Sequence, residues 1–266
     1  MKQCDKNDVI CIKKTYDQEK EKVLKQHYKE GIICFIDVLG FSKLTYEEKN
    51  ISLIKQFFKE LLELIQYMKV FGLDGEISIL SDSIVFTSDV EDTKDYHIID
   101  AAVDFLSMVR DIVINLFNTD IIASISYGKY IHLEDVDILF GPGISRAVKI
   151  AESKIKYPYY DKDNPAKIII DNTVLSSKHN IDHGISNHLN NNPWYQYIGD
   201  GYYLVNSYFP IYKLRKPNHE KETPEGQYKF WKKVINKNKE VEHKYKIVKT
   251  QLDEFNDYYK NMAVHY

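Results

Sequence analysis

The apolar run Ile32–Ile36 ends on a carboxylate, Asp37, and this run restricts the fold more than any other feature of the chain. Its length and its β-branched content predict a buried strand over residues 31–38. A carboxylate that closes a buried strand is costly unless it binds a metal ion, a proton or a cationic partner. The run therefore predicts a sheet that presents a functional carboxylate at the end of one strand.

A second carboxylate, Asp82, lies in a similar setting. Glycines break the helical pattern before it, and residues 76–87 predict a β-hairpin with Ser81 and Asp82 at its tip. Two carboxylates on neighbouring strands can share divalent ions, and such ions can hold the oxygens of a nucleoside triphosphate. Asp37 and Asp82 are therefore the candidate metal ligands.

Hydrophobic periodicity predicts the remaining elements. A helix over about residues 50–71 should turn one apolar face to the core, made of Ile51, Ile54, Phe58, Leu61, Leu62, Ile65 and Met68. Further along we expect a helix at about 97–117, a strand at 120–127, a second strand from Gly128 to 140, a helix at 143–155, strands near 167–171 and 195–206, and a charged helix at 226–262. The polar stretch 179–192 is predicted to be loop. The order β-α-β-β-α-β, followed by further αβ elements, predicts an α+β fold with a ferredoxin-like palm, extra strands and a C-terminal helical extension.

The chain of 266 residues fits one large domain, or one catalytic domain with an appended helical region. We expect a charged helical segment at residues 1–30, a catalytic domain at 31–206 and a mainly helical extension at 207–266. The net charge of −3 gives no general attraction to nucleic acid or to an anionic membrane. The chain has no long apolar span or secretory signal, and its three cysteines lack metal-ligand spacing, so we expect a cytoplasmic protein without a nucleic-acid or membrane partner.

Two other patterns admit a functional interpretation and a structural one. The chain has 21 tyrosines, many of them late, which could stack on bases of single-stranded nucleic acid but are more typical of half-buried strands. His179, His183 and His188 include one four-residue spacing that could suggest zinc. Their polar surroundings favour solvated loop histidines.

The turn after the first strand provides a candidate phosphate-binding backbone. Gly40 and Phe41 follow Asp37 and open a helix, so backbone N–H groups there can point at phosphate oxygens, and a glycine permits close approach. Tyr46 lies just beyond the turn, where it could approach a base, although a packing role is the more common one.

Three segments together resemble the class III nucleotide cyclase catalytic domain. They are Phe35–Ser42, which contains Asp37, then Ser81–Ile84, which contains Asp82, and Phe140–Ala147. Their order and spacing match that family's first metal aspartate, second metal aspartate and helix-borne transition-state segment. Within the family the chain looks most like the bacterial pyrimidine cyclases of Pycsar anti-phage systems.

The chain also departs from the family pattern. The position that reads a purine, four residues before the second metal aspartate, is Ser78, and its partner position falls near Ile138, which offers no side-chain hydrogen bond. The family's Asn and Arg on the helix fall on Ser145 and Lys149. Lys149 keeps a positive charge without the guanidinium fork, and Arg146 could replace it if the helix register differs.

The resemblance implies a homodimeric nucleotide cyclase. Asp37 and Asp82 would hold two Mg²⁺ or Mn²⁺ ions, and the backbone from Val38 to Phe41 would contact phosphate or metal. Arg146 or Lys149, from the partner subunit, would stabilise charge on the α-phosphate. The substrate would be UTP or CTP, with UTP favoured, and the cyclic product would activate a separate effector in anti-phage signalling.

Two other function classes remain open from the sequence. The changes at Ser145 and Lys149 would suit a catalytically inactive cyclase-homology module that binds a nucleotide or dimerises a partner. The retained carboxylates argue against this alternative. A palm-fold polymerase or dinucleotide cyclase shares the two-metal logic, but the chain has no Gly-Gly-Asp/Glu-Glu-Phe-like hairpin.

Overall fold

A computed structural model of the chain describes residues 28–69, 73–80, 83–89, 96–133, 138–153, 166–175, 185–192 and 194–206, together with Asp253 and Asp257. Its strands are β1 (Lys29–Val38), β2 (Glu76–Leu80), β3 (Ser83–Asp89), β4 (Ile121–Leu133), β5 (Ile138–Phe140), β6 (Lys167–Asp171), β7 (Tyr195–Gly199) and β8 (Tyr202–Val205). Its helices are α1 (Phe41–Thr45), α2 (Ile51–Lys69), α3 (Tyr96–Phe117), α4 (Pro142–Glu152) and α5 (Ile185–Asn191). Short 3₁₀ turns occupy Glu48–Asn50 and Asn172–Leu175.

The sheet has the order β2-β3-β1-β4-β6-β8-β7, and β5 pairs with β4 outside this path. The first four strands are antiparallel neighbours and, with α2 and α3, form the β-α-β-β-α-β unit of a ferredoxin-like palm. β6 adds parallel to β4, and the β7–β8 hairpin extends the sheet beyond it. The predicted α+β class with extra strands is therefore confirmed.

The two faces of the sheet are covered differently. In β1 the side chains of Ile32, Cys34, Ile36 and Val38 pack in the core cluster that contains α2 and α3. Ile33 and Phe35 alternate to the other face and join the cluster of α4. We call this second face the α4 face.

Burial within the larger cluster also raises the pKa of the Cys34 thiol, so this cysteine is a packing residue.

Helix α4 sits close to the sheet because two glycines face each other. A Cβ on Gly128 would lie 2.9 Å from Cα of Gly143, and a Cβ on Gly143 would lie 2.4 Å from Cδ1 of Ile33. Ser124 Oγ donates to the Ala147 carbonyl at 2.7 Å and ties the same helix to β4. Gly128 was expected to separate two strands. Instead β4 runs through it unbroken, because the glycine is needed for the approach of a helix and not for a turn.

Two further expectations are corrected within the described residues. The buried side of α2 is formed by Phe57, Leu61, Leu64, Ile65 and Met68, whereas Ile51 and Leu62 are about half exposed. The stretch 179–192 is not all loop, because Ile185–Asn191 is helical and buries Leu189. The predicted helix at 226–262 lies outside the described residues apart from Asp253 and Asp257, which are helical, and most of residues 1–30 lies outside them as well.

The late tyrosines pack in the β7–β8 hairpin. Tyr195 and Tyr203 are buried, Tyr202 is half-buried, and Tyr197 is exposed and stacks edge-on against Tyr203. This arrangement fits the interpretation as half-buried strands. Across the described ranges, no helix combines the length and apolarity needed to cross a bilayer.

We expect Gly143→Ala to destabilise the fold by about 1–3 kcal/mol, because the new methyl group must displace Ile33 or the Gly128 backbone. Glu152→Ala, an exposed change on the same helix, should cost less than about 0.5 kcal/mol. Urea unfolding of both variants checks the prediction. Equal midpoints would show that α4 tolerates a wider separation from the sheet.

Candidate active site

Asp37 lies near the end of β1, in the middle of the sheet. It is half-buried and pairs in register with Ser83 of β3 on one side and with Ile122 of β4 on the other. Because it alternates with Phe35, its side chain belongs to the α4 face. β2 and β3 pair Leu80 with Ser83, so two residues, 81 and 82, connect these strands. Asp82 therefore directly precedes the residue opposite Asp37 in the sequence, but it lies outside the described residues.

The turn after β1 is held by an aromatic cluster. Gly40 caps α1 with φ 74°, a left-handed conformation that favours glycine, and a Cβ built on it would meet nothing within 4 Å. The Phe41 side chain is buried against Phe57, Phe58 and Phe117, with ring centroids 6.0–6.4 Å apart. The Phe41 ring is thus a core group, and its backbone remains the part that could meet a ligand.

Arg146 is engaged by a buried carboxylate. Its Nε and Nη2 donate to the two carboxylate oxygens of Asp171, the latter at 3.0 Å, and Asp171 is fully buried at the end of β6. Thr173 Oγ1 donates to the same carboxylate at 2.6 Å, and Asn172 Oδ1 lies 3.4 Å from Nη2. The carboxylate raises the pKa of Arg146. This side chain therefore ties α4 to β6, whatever else it does.

Lys149 and Ser145 occupy the outer side of α4. Both are exposed, and at one residue per 100° they lie on the opposite side of the helix from Ala147 and Ala151, which pack on the sheet. Among the residues that the structure describes, Lys149 makes no ion pair within 4 Å. The two candidate cations thus differ, because Arg146 is held by Asp171 and Lys149 is an exposed residue with no ion pair among the described side chains.

The three candidate base-contact residues differ in how far they are exposed to solvent. Ser78 is buried on β2 opposite Val85, on the α4 face, and Ile138 is 49% exposed on β5. Tyr46 is 88% exposed just after α1. A packing role for Tyr46 is therefore wrong, because its ring has almost no neighbours to pack against.

Lys167 is a buried lysine at the same end of the sheet as Asp37. It pairs in register with Ile122, which itself pairs with Asp37, and it is 5% exposed. Its Nζ donates to the Ser153 carbonyl at 2.7 Å, just after the end of α4. Burial lowers the pKa of Lys167 to about 8.

Of the three histidines that were predicted to be solvated loop residues, the structure describes His188. His188 lies on α5 with Nε2 2.9 Å from Asp100 Oδ1, and the Tyr195 hydroxyl donates to the same oxygen, so it is not a solvated loop residue. Burial and the nearby Asp100 raise the pKa of Tyr195. His179 and His183 lie outside the described residues. Within those described, no group of three or more His, Cys, Asp or Glu side chains could hold a metal ion.

Two groups that contact candidate site residues have no recognisable signal in the sequence. Asp171 orients Arg146, and the residues between α3 and β4 contact the turn after Asp37. Arg146 and Asp171 are 25 positions apart in the sequence, so no local sequence pattern indicates that they pair.

In its fold, the chain is similar to solved structures of nucleotide cyclase domains. The adenylyl cyclase CyaB from P. aeruginosa superposes with a TM-score of 0.46 at 14% identity, over 67% of this chain and 94% of that chain. The guanylate cyclase domain of RhGC from Catenaria anguillulae in complex with GTP superposes with a TM-score of 0.44 at 14% identity, over 67% of this chain and 96% of that chain. The dimeric guanylyl cyclase domain of the RhoGC fusion protein from Blastocladiella emersonii superposes with a TM-score of 0.45 at 16% identity, over 67% of this chain and 94% of that chain.

No protein-family model matches the chain, and no curated protein matches it. At this level of similarity the superpositions do not assign an activity. The pyrimidine subgroup therefore stays a prediction from the sequence.

We expect Arg146→Ala to lower the free energy of unfolding by about 2–4 kcal/mol, because it leaves the buried Asp171 carboxylate without its cation. Asn172→Ala removes only the 3.4 Å contact and should cost less than about 1 kcal/mol. Urea unfolding at pH 7 measures both. A stable Arg146→Ala protein would mean that the pair does not anchor α4.

The stability difference between wild type and Lys167→Met should depend on pH. The folded-state pKa of about 8 is below the ordinary 10.5, so between these values the unfolded chain binds more protons and wild-type stability rises with pH. Relative to Lys167→Met, wild type should gain up to about 3 kcal/mol between pH 7.5 and 10.5. Lys55→Met, an exposed change, should show a constant difference. If the stability difference between wild type and Lys167→Met is also independent of pH, the Lys167 amine is in contact with water in the folded protein.

Proposed function

We propose that the protein is a nucleotide cyclase that converts a nucleoside triphosphate to the 3′,5′-cyclic monophosphate and pyrophosphate. One observation carries the proposal: Asp37 is a half-buried carboxylate on a central strand, opposite Ser83 and three residues before the open backbone of Gly40. The chain's resemblance to class III cyclases at all three motif segments supports the same reaction.

The donor groups at this position fit a hard divalent cation. Asp37 supplies carboxylate oxygens, Asp82 is the second candidate in the sequence, and oxygen ligands are those that Mg²⁺ and Mn²⁺ prefer. When bound, two such ions would lower the pKa of the ribose 3′-hydroxyl and neutralise charge on the leaving pyrophosphate. Asp37 would hold them at the end of β1, and its neighbours Val38 to Phe41 would present backbone groups to metal and phosphate.

Lys149 is the better candidate for the cation at the α-phosphate. Arg146 already pairs with Asp171, whereas Lys149 is exposed on the outer side of α4. A single preorganised donor at the developing charge contributes roughly 10²–10³ in kcat. Lys149 would act without the paired geometry of a guanidinium.

The position of Lys149 supports a site shared between two chains. Lys149 lies on the side of α4 turned away from the sheet, whereas Asp37 lies on the face of the sheet that α4 covers. One triphosphate could meet both groups if they come from different subunits. We therefore propose a homodimer with each site at the two-fold interface.

We propose UTP as the substrate, with CTP as the next candidate. A purine-reading pair is missing, because Ser78 is a buried strand serine and Ile138 is apolar. The exposed ring of Tyr46 is free of packing and could stack on the base. The resemblance to Pycsar cyclases supports cyclic UMP as a signal to a separate anti-phage effector in the cytoplasm. That effector would respond to the nucleotide and need not bind this protein.

Incubation of the full-length protein with each of the four NTPs and Mn²⁺, followed by mass spectrometry, tests the proposal. We expect cyclic UMP to exceed the other products. Asp37→Asn should reduce product at least about 10³-fold, and Lys149→Ala about 10²-fold, with unchanged unfolding midpoints. Lys55→Ala is the control for an exposed lysine.

Two outcomes contradict parts of the proposal. Cyclic AMP or cyclic GMP as the main product would reject the pyrimidine assignment and keep the cyclase. Absence of any cyclic product, with Asp37→Asn indistinguishable from wild type in nucleotide binding, would favour the catalytically inactive cyclase-homology module that the changes at Ser145 and Lys149 would suit.

A further inference from the structure

The connection between α3 and β4 clamps the backbone next to Asp37. The Leu39 N–H donates to the Asp120 carbonyl at 2.9 Å, and Thr119 Oγ1 donates to the Leu39 carbonyl at 2.7 Å. Both backbone groups of Leu39 are therefore satisfied by two adjacent residues that are distant in the sequence, Thr119 lying 80 positions away. We call Thr119 and Asp120 the Leu39 clamp.

The clamp fixes the direction of two other backbone groups. A trans peptide is planar, so its C=O and N–H point in opposite directions. The Leu39 N–H points at β4, and the Val38 carbonyl must then point away from β4. The Leu39 carbonyl points at Thr119, and the Gly40 N–H must point away from it. A carbonyl and an N–H, suited to a cation and an anion respectively, are thus turned from β4 toward the β3 side, where β3 begins opposite Asp37.

The clamp is itself held by a buried ion pair. Arg110 of α3 donates to both carboxylate oxygens of Asp120, from Nε at 2.8 Å and from Nη2 at 2.9 Å, and neither side chain is more than 3% exposed. The Ile121 N–H donates to the same carboxylate at 2.7 Å. Asn118 ends α3 in the left-handed conformation, φ 52°, with its N–H on the Ile114 carbonyl at 3.0 Å. The whole connection is therefore specified before any ligand arrives.

We propose that Thr119 is a positioning residue of the candidate active site. Its hydroxyl holds the Leu39 peptide so that the Val38 carbonyl and the Gly40 N–H face the metal–triphosphate complex. The inference rests on the proposed function, because it assigns Thr119 a role in that site. Asp120 does the same through its backbone carbonyl, which a side-chain substitution does not remove, so Thr119 is the residue to test.

The test compares Thr119→Val with Thr119→Ser in the full-length protein. Valine keeps the branched shape and removes the hydroxyl, whereas serine keeps the hydroxyl. Thr45→Val is the matched control, because it removes a hydroxyl-to-carbonyl bond of 2.8 Å that does not touch Leu39. Each variant is measured for the Mn²⁺ concentration that gives half-maximal cyclase activity, for Mn²⁺ affinity by calorimetry and for its unfolding midpoint.

We expect Thr119→Val to raise the half-maximal Mn²⁺ concentration and the Mn²⁺ dissociation constant about tenfold, because small misplacements of site groups are costly. Thr119→Ser should recover most of this loss, and Thr45→Val should match wild type. A Thr119→Val protein with wild-type metal dependence, in a preparation where Asp37→Asn abolishes it, would overturn the positioning role and leave the proposed function intact. Failure of the wild type to bind Mn²⁺ or make product would overturn both.

Discussion

β1 is hydrogen-bonded to β3 along one edge and to β4 along the other, and side chains cover both of its faces. This double constraint leaves the strand almost no freedom to shift, because a slip of one residue would exchange the contents of two cores. Asp37 is therefore held in one position at little additional cost. The buried pair of Arg110 and Asp120 extends the same rigidity past the end of the strand to Leu39. A site that holds charged groups needs rigid surroundings of this kind to keep those groups in position.

Helix α4 links this rigid strand to the surface. Its inner side includes small residues, and Gly143 meets Gly128 so closely that no Cβ fits between them. Arg146 fixes the helix to β6 through Asp171, and Lys149 is left on the outer side. The division suggests separate duties for two neighbouring cations, one that holds the helix and one that is available to a substrate. It also explains why we place each site between two subunits.

Much of the fold follows from local patterns in the sequence. The length and β-branched content of β1 and the period of α3 predict those elements, and the αβ order predicts the palm. Most of the predicted core side of α2 is confirmed, but Ile51 and Leu62 are half exposed, while Phe57 and Leu64 are buried, because tertiary packing decides which residues at the margin of an apolar face are covered. Gly128, Arg146 and Thr119 could not be interpreted correctly, because each owes its role to a partner distant in the sequence. The candidate metal carboxylate could be found because it closes an apolar run.

The central claim is that Asp37 belongs to a site for divalent cations and a triphosphate. Crystals of the full-length protein grown with Mn²⁺ and a non-hydrolysable UTP analogue would test it most directly, through anomalous scattering from manganese. We predict a peak within coordination distance of the Asp37 carboxylate, lost in Asp37→Asn crystals. An occupied nucleotide with no manganese at Asp37, or manganese bound only elsewhere, would contradict the account.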